Sequence, residues 1–207
     1  MNDKIKVLIA DDHAILRVGL ASVLNTYKDI RVIGDAGDGD EAIELVRKLK
    51  PDVVIMDLMM PGTDGVDATR AIVKSAPKTH ILILTTFATS DQISEALSSG
   101  ASGATMKNTG IDELVTAIRT VASGQRYIYD EIRRIIADDP PTPELSARQL
   151  EILGAMVRGL TSVDIAKQLG ISHDMVREHS TALYKKLGAA NRTEAVAIAL
   201  RKHLLKI

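Results

Sequence analysis

The chain has 207 residues, of which 45% are hydrophobic and 26% are charged, and its formal net charge is −1. It contains no cysteine, which excludes disulfide bonds, thiolate zinc sites and iron–sulfur clusters. It also shows no apolar run long enough to cross a bilayer and no signal-peptide core at its start, so we expect a cytoplasmic protein without a membrane partner.

The charge is distributed unevenly along the chain. Residues 145–207 carry a formal charge of +5, whereas residues 1–144 carry −6. An acidic segment followed by a basic one suggests two domains with different partners, and nucleic acid is one candidate partner of the basic domain.

Short apolar runs alternate with amphipathic segments through roughly the first 125 residues. The apolar runs lie at 5–10, 31–34, 52–56, 80–84 and 103–106. Between them, apolar residues recur at helical spacing, and Asp38 with Glu41 and Thr89 with Gln92 have the spacing of capping boxes. This alternation predicts a doubly wound α/β domain, with a five-stranded parallel sheet covered by helices on both faces.

Three prolines then interrupt the pattern, at positions 140, 141 and 143, and helices do not run through such a stretch. Every later segment predicts helix. Ser146 and Gln149 begin the first helix as a capping box, and two further helices joined by a tight turn at Gly170 form a helix-turn-helix. We predict one domain at 1–124, a linker at 125–144 and a small all-α domain at 145–207.

Polar residues follow four of the predicted strands. Asp11 and Asp12 follow the first strand, Asp57 the third, Thr85 the fourth and Lys107 the fifth. Each residue alone has a simpler explanation, such as a helix cap or a turn. Ligands of a doubly wound sheet bind at the carboxyl ends of the strands, however, and the set together suits an acyl-phosphate site.

The chemistry follows from the residue types. Three carboxylates held together repel one another, and a hard divalent cation such as Mg²⁺ relieves that repulsion. Asp57 can attack phosphorus as a nucleophile and form an aspartyl phosphate. The Lys107 ammonium can then neutralise charge on the transferred group, and the Thr85 hydroxyl can bond one of its oxygens.

The segments LIADDH, VVIMDLMMPGTDG, ILILTTF and GASGATMKN resemble, in this order, the receiver domain of bacterial two-component response regulators. The resemblance covers residues 4 to about 124 and implies a flavodoxin-like fold in which Asp57 accepts a phosphoryl group from a histidine kinase. It implies site roles as follows: Asp11, Asp12, Asp57 and the Met59 backbone carbonyl hold Mg²⁺, Thr85 is the switch hydroxyl and Lys107 contacts the phosphoryl group.

The chain departs from the receiver pattern at several positions. Ala104 stands where receivers often have an aromatic residue that moves on activation, so such a movement cannot be the switch here. Asn108 follows the lysine where proline is common. Met59 and Phe87 occupy positions where polar residues often help water to attack, and we therefore hypothesise slow hydrolysis of the phosphoryl group.

The second half of the helix-turn-helix, HDMVREHSTALYKKLG, has two distinct faces. Helical spacing predicts that Val176, Ser180, Leu183 and Leu187 pack inward, whereas Asp174, Arg177, Glu178, Thr181 and Lys185 project outward. Arg177 lies near the N-terminal end, the part of a recognition helix that meets base edges. A solvated helix face is the simpler alternative.

The block from LTSVDIAKQLG to GAANRTEAVAIAL resembles the LuxR-type four-helix domain of NarL/FixJ response regulators, over roughly residues 145–203. The resemblance implies that Arg177, Glu178 and Thr181 face the major groove and that Lys185 lies nearer phosphate. It also implies homodimers on double-stranded DNA, formed through the last helix. Met175 replaces a threonine that usually contacts the DNA backbone in this family.

These observations predict a transcription regulator whose DNA binding is switched by phosphorylation, and no enzyme beyond phosphoryl transfer to and hydrolysis from Asp57. Two alternatives stay open. A haloacid-dehalogenase-type phosphohydrolase would need a DxD pattern after the first strand, where this chain has adjacent Asp11 and Asp12. A pseudo-receiver would bind DNA without phosphorylation, which Ala104 leaves possible although the complete set of site residues argues against it.

Overall fold

The computed structural model describes residues 4–86, 89–138, 141, 145–202 and 204–205. The chain divides into two compact units, residues 1–140 and 141–207. Each unit has its own hydrophobic core. Throughout the described ranges, every helix is too short or too polar to cross a bilayer.

The first unit contains a six-stranded parallel sheet in the order β2-β1-β3-β4-β5-β6. The strands are β1 Ile5–Ala10, β2 Ile30–Ala36, β3 Val53–Met56, β4 His80–Thr85, β5 Gly103–Met106 and β6 Tyr127–Ile128. All five predicted strands are present, so the doubly wound α/β fold is confirmed, and the short β6 adds a sixth strand at the edge.

Five helices cover the two faces of this sheet: α1 Ala14–Leu24, α2 Gly39–Leu49, α3 Gly65–Ser75, α4 Ser90–Ser98 and α5 Ile111–Ala122. Successive strand residues point to opposite faces, and Leu8 accordingly joins one core cluster while Ile9 joins the other. Burial on both faces explains why the strands appear in the sequence as continuous apolar runs rather than as alternating ones.

The capping predictions are confirmed at α4 and in part at α2. Thr89 and Gln92 form a reciprocal capping box. At α2, Asp38 accepts a hydrogen bond from the Glu41 backbone N–H, but the Glu41 carboxylate accepts from the Gly37 backbone instead of returning to Asp38.

The predicted linker at 125–144 is wrong in its first part. It contains β6 and a further helix, α6 Asp130–Asp138, and the division into units falls between Pro140 and Pro141. Ile132 of α6 is completely buried in the same core cluster as Ala104, and Ile135 and Ile136 pack against that cluster. Their helical spacing gives α6 an apolar face that the sheet domain covers. Pro140 and Pro143 lie outside the described residues.

Within its described residues, the second unit consists of four helices, α7 Ala147–Val157, α8 Ser162–Leu169, α9 His173–Leu187 and α10 Arg192–Arg201. Ser146 and Gln149 form the predicted capping box of α7. Gly170 ends α8 in the left-handed conformation, with φ of +63°, which glycine adopts without strain and which allows the tight turn into α9. The predicted helix-turn-helix is therefore present.

Candidate functional site

The parallel sheet brings the predicted polar residues to one edge, because all its strands end on the same side. Asp11 follows β1, Asp57 follows β3 and Lys107 follows β5, while Thr85 ends β4. Backbone hydrogen bonds continue the sheet past the strand ends, from the Asp57 N–H to the Ala10 carbonyl at 2.8 Å and from the Lys107 N–H to the Thr85 carbonyl at 2.8 Å. The rigid sheet thus fixes where each side chain starts.

Lys107 joins two buried carboxylates at this edge. Its Nζ lies 2.7 Å from Asp57 Oδ2 and 2.7 Å from Asp11 Oδ2. The Asp11 and Asp57 side chains are only 2% and 3% exposed, and that of Lys107 is 12% exposed. Three groups that are far apart in the sequence therefore form one charged cluster, as the sequence predicted for them.

Burial and charge act in opposite directions on these groups. Burial raises the pKa of Asp57, with a smaller raising effect from Asp11, and the hydrogen bond from Lys107 offsets only part of this. Burial lowers the pKa of Lys107, but its hydrogen bonds to Asp11 and Asp57 outweigh that effect and leave the pKa raised. The ammonium therefore stays charged at neutral pH and supplies the cation that the carboxylates need.

A metal-compatible group of ligand atoms lies beside the ammonium. Asp11, Asp12, His13 and Asp57 each offer one such atom, all within 4.8 Å of one another. The carboxylate oxygens are the donors that a hard cation such as Mg²⁺ prefers, so the residues fit that ion. The sequence prediction missed His13, whose Nδ1 lies 2.6 Å from Asp12 Oδ1 and 3.1 Å from Asp11 Oδ1, although it directly follows the aspartate pair.

The Thr85 hydroxyl is buried without a hydrogen-bond partner among the described residues. A buried hydroxyl in this state costs free energy, which a group bound at the site can recover. Phe87, the other residue singled out near β4, lies outside the described residues.

The loop after β3 passes close to the start of α3 and contacts α4. Gly65 begins α3 so close to the loop that a Cβ atom there would lie 2.0 Å from the Asp57 carbonyl oxygen. Met59 donates its backbone N–H to Asp57 Oδ1 at 3.3 Å, and its half-exposed side chain accepts a hydrogen bond from Gln92 Nε2 through Sδ at 3.4 Å. Met59 therefore connects the Asp57 loop with the first turn of α4.

Ala104 lies completely buried in β5, beside Ile83 of β4. No aromatic side chain stands at this position. Ile128 of β6 pairs in register with Ala104, and Ile132 of α6 belongs to the same core cluster.

The second unit presents the predicted two-faced recognition helix. Val176, Ser180 and Leu183 of α9 are buried and Leu187 packs against the core, as predicted. The outward residues Asp174, Arg177, Glu178, Thr181 and Lys185 are all exposed. The Arg177 side chain is 76% exposed, and its ion pair with Asp174 is long, at 4.0 Å. Its guanidinium therefore remains available to an external partner.

Helix α10 divides its apolar residues between core and surface. Ala195 and Ala199 are buried, and Val196 packs against the core of the second unit. Leu200 is 48% exposed. Leu200 therefore remains a candidate for the dimer contact that the resemblance implies for the last helix.

Comparison with known proteins identifies both units. The family model "Response regulator receiver domain" matches residues 7–119, and the family model "Bacterial regulatory proteins, luxR family" matches residues 143–199. The oxygen regulatory protein NreC of Staphylococcus aureus (strain JH9) is 38% identical over 215 residues, covering 97% of this chain and 99% of that protein.

Solved structures agree with this assignment. The response regulator ChrA of a heme-sensing two-component system is 35% identical, covers 98% of this chain and 99% of its own, and superposes with a TM-score of 0.59. RcsB, in a structure of two dimers bound to two parallel DNAs, is 25% identical, covers 96% and 98%, and has a TM-score of 0.70. The chain belongs to the NarL/FixJ-type response regulators of two-component systems, which combine a receiver domain with a LuxR-type DNA-binding domain.

Proposed function

We propose that Asp57 is the phosphoacceptor of this response regulator and that its phosphorylation controls DNA binding by residues 145–207. The observation that carries the proposal is the buried Asp57 carboxylate with the Lys107 ammonium 2.7 Å away. An Asp57 carboxylate oxygen attacks phosphorus, and the bond between phosphorus and the histidine nitrogen of the kinase breaks. This transfer to Asp57 and its hydrolysis are the only chemistry we propose for the chain.

Lys107 keeps Asp57 ready for this attack. Burial raises the pKa of Asp57 and thereby favours its inert protonated form, while the hydrogen bond from Lys107 favours the ionised nucleophile. After transfer, the same ammonium can neutralise charge on the phosphoryl oxygens, as charged groups do in phosphoryl transfer.

We propose Mg²⁺ as the cofactor, held by the carboxylates of Asp11, Asp12 and Asp57 and by the Met59 backbone carbonyl. The cluster of acidic ligand atoms within 4.8 Å supports this. When bound, Mg²⁺ supplies positive charge that reduces carboxylate repulsion and favours a phosphoryl group beside Asp57.

The switch begins at Thr85. Its buried hydroxyl, which has no partner among the described residues, donates a hydrogen bond to the phosphoryl group, and the described part of region 85–106 moves with it. Shifting a conformational mixture from 1:99 to 99:1 requires about 5.5 kcal/mol. Hydrogen bonds to a charged group contribute roughly 1.5–3 kcal/mol each, so the new bond from Thr85 can supply part of this.

Binding to DNA uses the outward face of α9. Arg177, Glu178 and Thr181 meet base edges in the major groove, and Lys185 lies near phosphate, as the exposure of all four residues allows. The RcsB dimers bound to DNA support a homodimer here, with Leu200 of α10 in the contact and half-sites ~34 Å apart. The regulator acts in the cytoplasm, where its DNA targets are.

The test is DNA binding with and without acetyl phosphate and Mg²⁺, for the wild type, Asp57→Ala and Asp67→Ala. Asp67 is an exposed carboxylate of α3 paired with Arg70 and serves as the matched control. We expect phosphorylation to change DNA binding of the wild type and Asp67→Ala but not of Asp57→Ala. Identical DNA binding under all conditions would refute the switch, and phosphoryl labelling of Asp57→Ala would show a different acceptor.

A further inference from the structure

Arg17 of α1 contacts the acidic cluster from outside. Its side chain is 18% exposed and makes two short hydrogen bonds, from Nε to Asp35 Oδ2 at 2.7 Å and from Nη1 to the Asp11 backbone carbonyl at 2.6 Å. Asp35 belongs to β2, the strand beside β1. The guanidinium therefore ties the end of β1 to both α1 and β2, at the residue pair that begins the acidic cluster.

The hydrogen bond to the Asp11 carbonyl fixes the peptide group between Asp11 and Asp12. The preceding peptide group is fixed as well, because the Asp11 N–H donates to the Ala36 carbonyl at 3.1 Å. With both peptide groups held, Asp11 and Asp12 leave the backbone in set directions. Loss of the Arg17 bond frees the second peptide group to rotate, and that rotation redirects the Asp12 carboxylate relative to Asp11.

We infer that Arg17 is a positioning residue for the divalent cation at Asp11, Asp12 and Asp57, an inference that rests on the proposed function. Mg²⁺ tolerates little departure from octahedral geometry, so a small change in carboxylate direction weakens its binding. Groups that orient metal ligands from behind typically change metal affinity 10- to 100-fold when they are removed. Arg17 acts on the cation only through the Asp11–Asp12 peptide group and touches none of the reacting atoms.

The two contacts of Arg17 can be separated experimentally. Asp35→Asn removes the ion pair with Arg17 and leaves the bond to the Asp11 carbonyl possible, whereas Arg17→Gln removes both. Arg119→Gln is the matched control. Arg119 of helix α5 forms an ion pair with Asp29 at 2.8 Å. The described contacts of its side chain are with Asp29 and the Tyr27 ring, which lie outside the acidic cluster.

The experiment measures the dissociation constant of Mg²⁺ by calorimetric titration of the full chain, together with the Mg²⁺ dependence of labelling by acetyl phosphate. For Arg17→Gln we expect the dissociation constant to rise about 10-fold, while the labelling rate at saturating Mg²⁺ stays close to that of the wild type. Asp35→Asn and Arg119→Gln should leave Mg²⁺ binding near that of the wild type.

Equal Mg²⁺ binding by Arg17→Gln and the wild type overturns the inference, and so does an equal loss in Arg119→Gln, which would indicate a general effect of lost stability. If Arg17→Gln fails to fold, Arg17→Lys decides, since one ammonium cannot reach both partners as the forked guanidinium does and should also weaken Mg²⁺ binding. A wild type that neither binds Mg²⁺ nor labels Asp57 overturns the proposed function as well. Labelled wild type with an unaffected Arg17→Gln overturns the positioning role alone.

Discussion

The receiver site and the DNA-binding face place their functional groups in opposite surroundings. In the receiver, Asp11 and Asp57 are buried and Lys107 is nearly so, and the Lys107 Nζ lies 2.7 Å from a carboxylate oxygen of each aspartate. On α9, Arg177 is 76% exposed and its nearest acidic partner, Asp174, is 86% exposed and 4.0 Å away. The receiver cluster is held together by contacts within the domain, whereas the outward residues of α9 are exposed to solvent.

This difference predicts different consequences of mutation. Lys107 stabilises the receiver fold, because its removal leaves the buried carboxylates of Asp11 and Asp57 without compensation. A residue of the exposed face contributes to binding and little to stability, since surface charges contribute at most about 1 kcal/mol. The following predictions are ordered from the largest expected effect to the smallest.

Replacing Lys107 by methionine should lower the free energy of unfolding by roughly 3 kcal/mol in Mg²⁺-free buffer, because Asp11 and Asp57 then remain buried without their cation. Added Mg²⁺ should restore part of this loss. Urea denaturation of the full chain, which gives the free energy of unfolding of the receiver domain, measures both effects. Lys185→Met on the exposed face is the control and should leave the free energy of unfolding unchanged. Equal stability of the two variants would contradict the expected difference between buried and exposed charges.

Replacing Gly65 by alanine should destabilise the receiver by about 1–3 kcal/mol, because the added Cβ would lie 2.0 Å from the Asp57 carbonyl oxygen. Gly19→Ala tests the opposite case within the same domain, since no atom lies within 4 Å of a Cβ added there. It should stabilise α1 by roughly 0.5–1 kcal/mol. Thermal unfolding of the two variants measures the difference, and a shift of the same sign in both would disprove this reading of the loop.

Replacing Arg177 by alanine should weaken binding to a specific DNA site by about 1–3 kcal/mol and relax the preference at one base position. Lys185→Ala should instead weaken binding to all sequences alike and reduce the salt dependence by about one unit. Fluorescence anisotropy with specific and unrelated DNA at several salt concentrations separates the two. Loss of specificity in Lys185→Ala would reverse our assignment of their roles.

Met59 should slow hydrolysis of the phosphoryl group, because it places an apolar side chain two residues after Asp57, where receivers often have a polar residue that helps water to attack. We expect a half-life well above seconds for the purified protein with Mg²⁺, and a several-fold shorter one for Met59→Asn. Loss of radiolabelled phosphate from the isolated protein measures it. Gln92→Ala keeps the methionine while removing its partner and should change the half-life less than Met59→Asn.

Much of this organisation could be predicted from the sequence. The five apolar runs predicted five strands because both faces of the sheet are covered, and strand ends in a parallel sheet meet at one edge, which brings Asp11, Asp57, Thr85 and Lys107 together. The inward face of α9 followed from helical spacing alone. These predictions succeeded because they depend on local periodicity and on one rule of sheet topology.

The packing of α6 and the contacts of His13 and Arg17 required the tertiary structure. Nothing in the local pattern of α6 shows that Ile132 finds a partner surface around Ala104. The 2.6 Å hydrogen bond from Arg17 to the Asp11 carbonyl depends on how α1 packs beside β1 and β2. No spacing of residues in the sequence predicts that packing. The sequence determined which chemical groups meet at the sheet edge, and only the packing of helices around that edge decided which neighbours orient them.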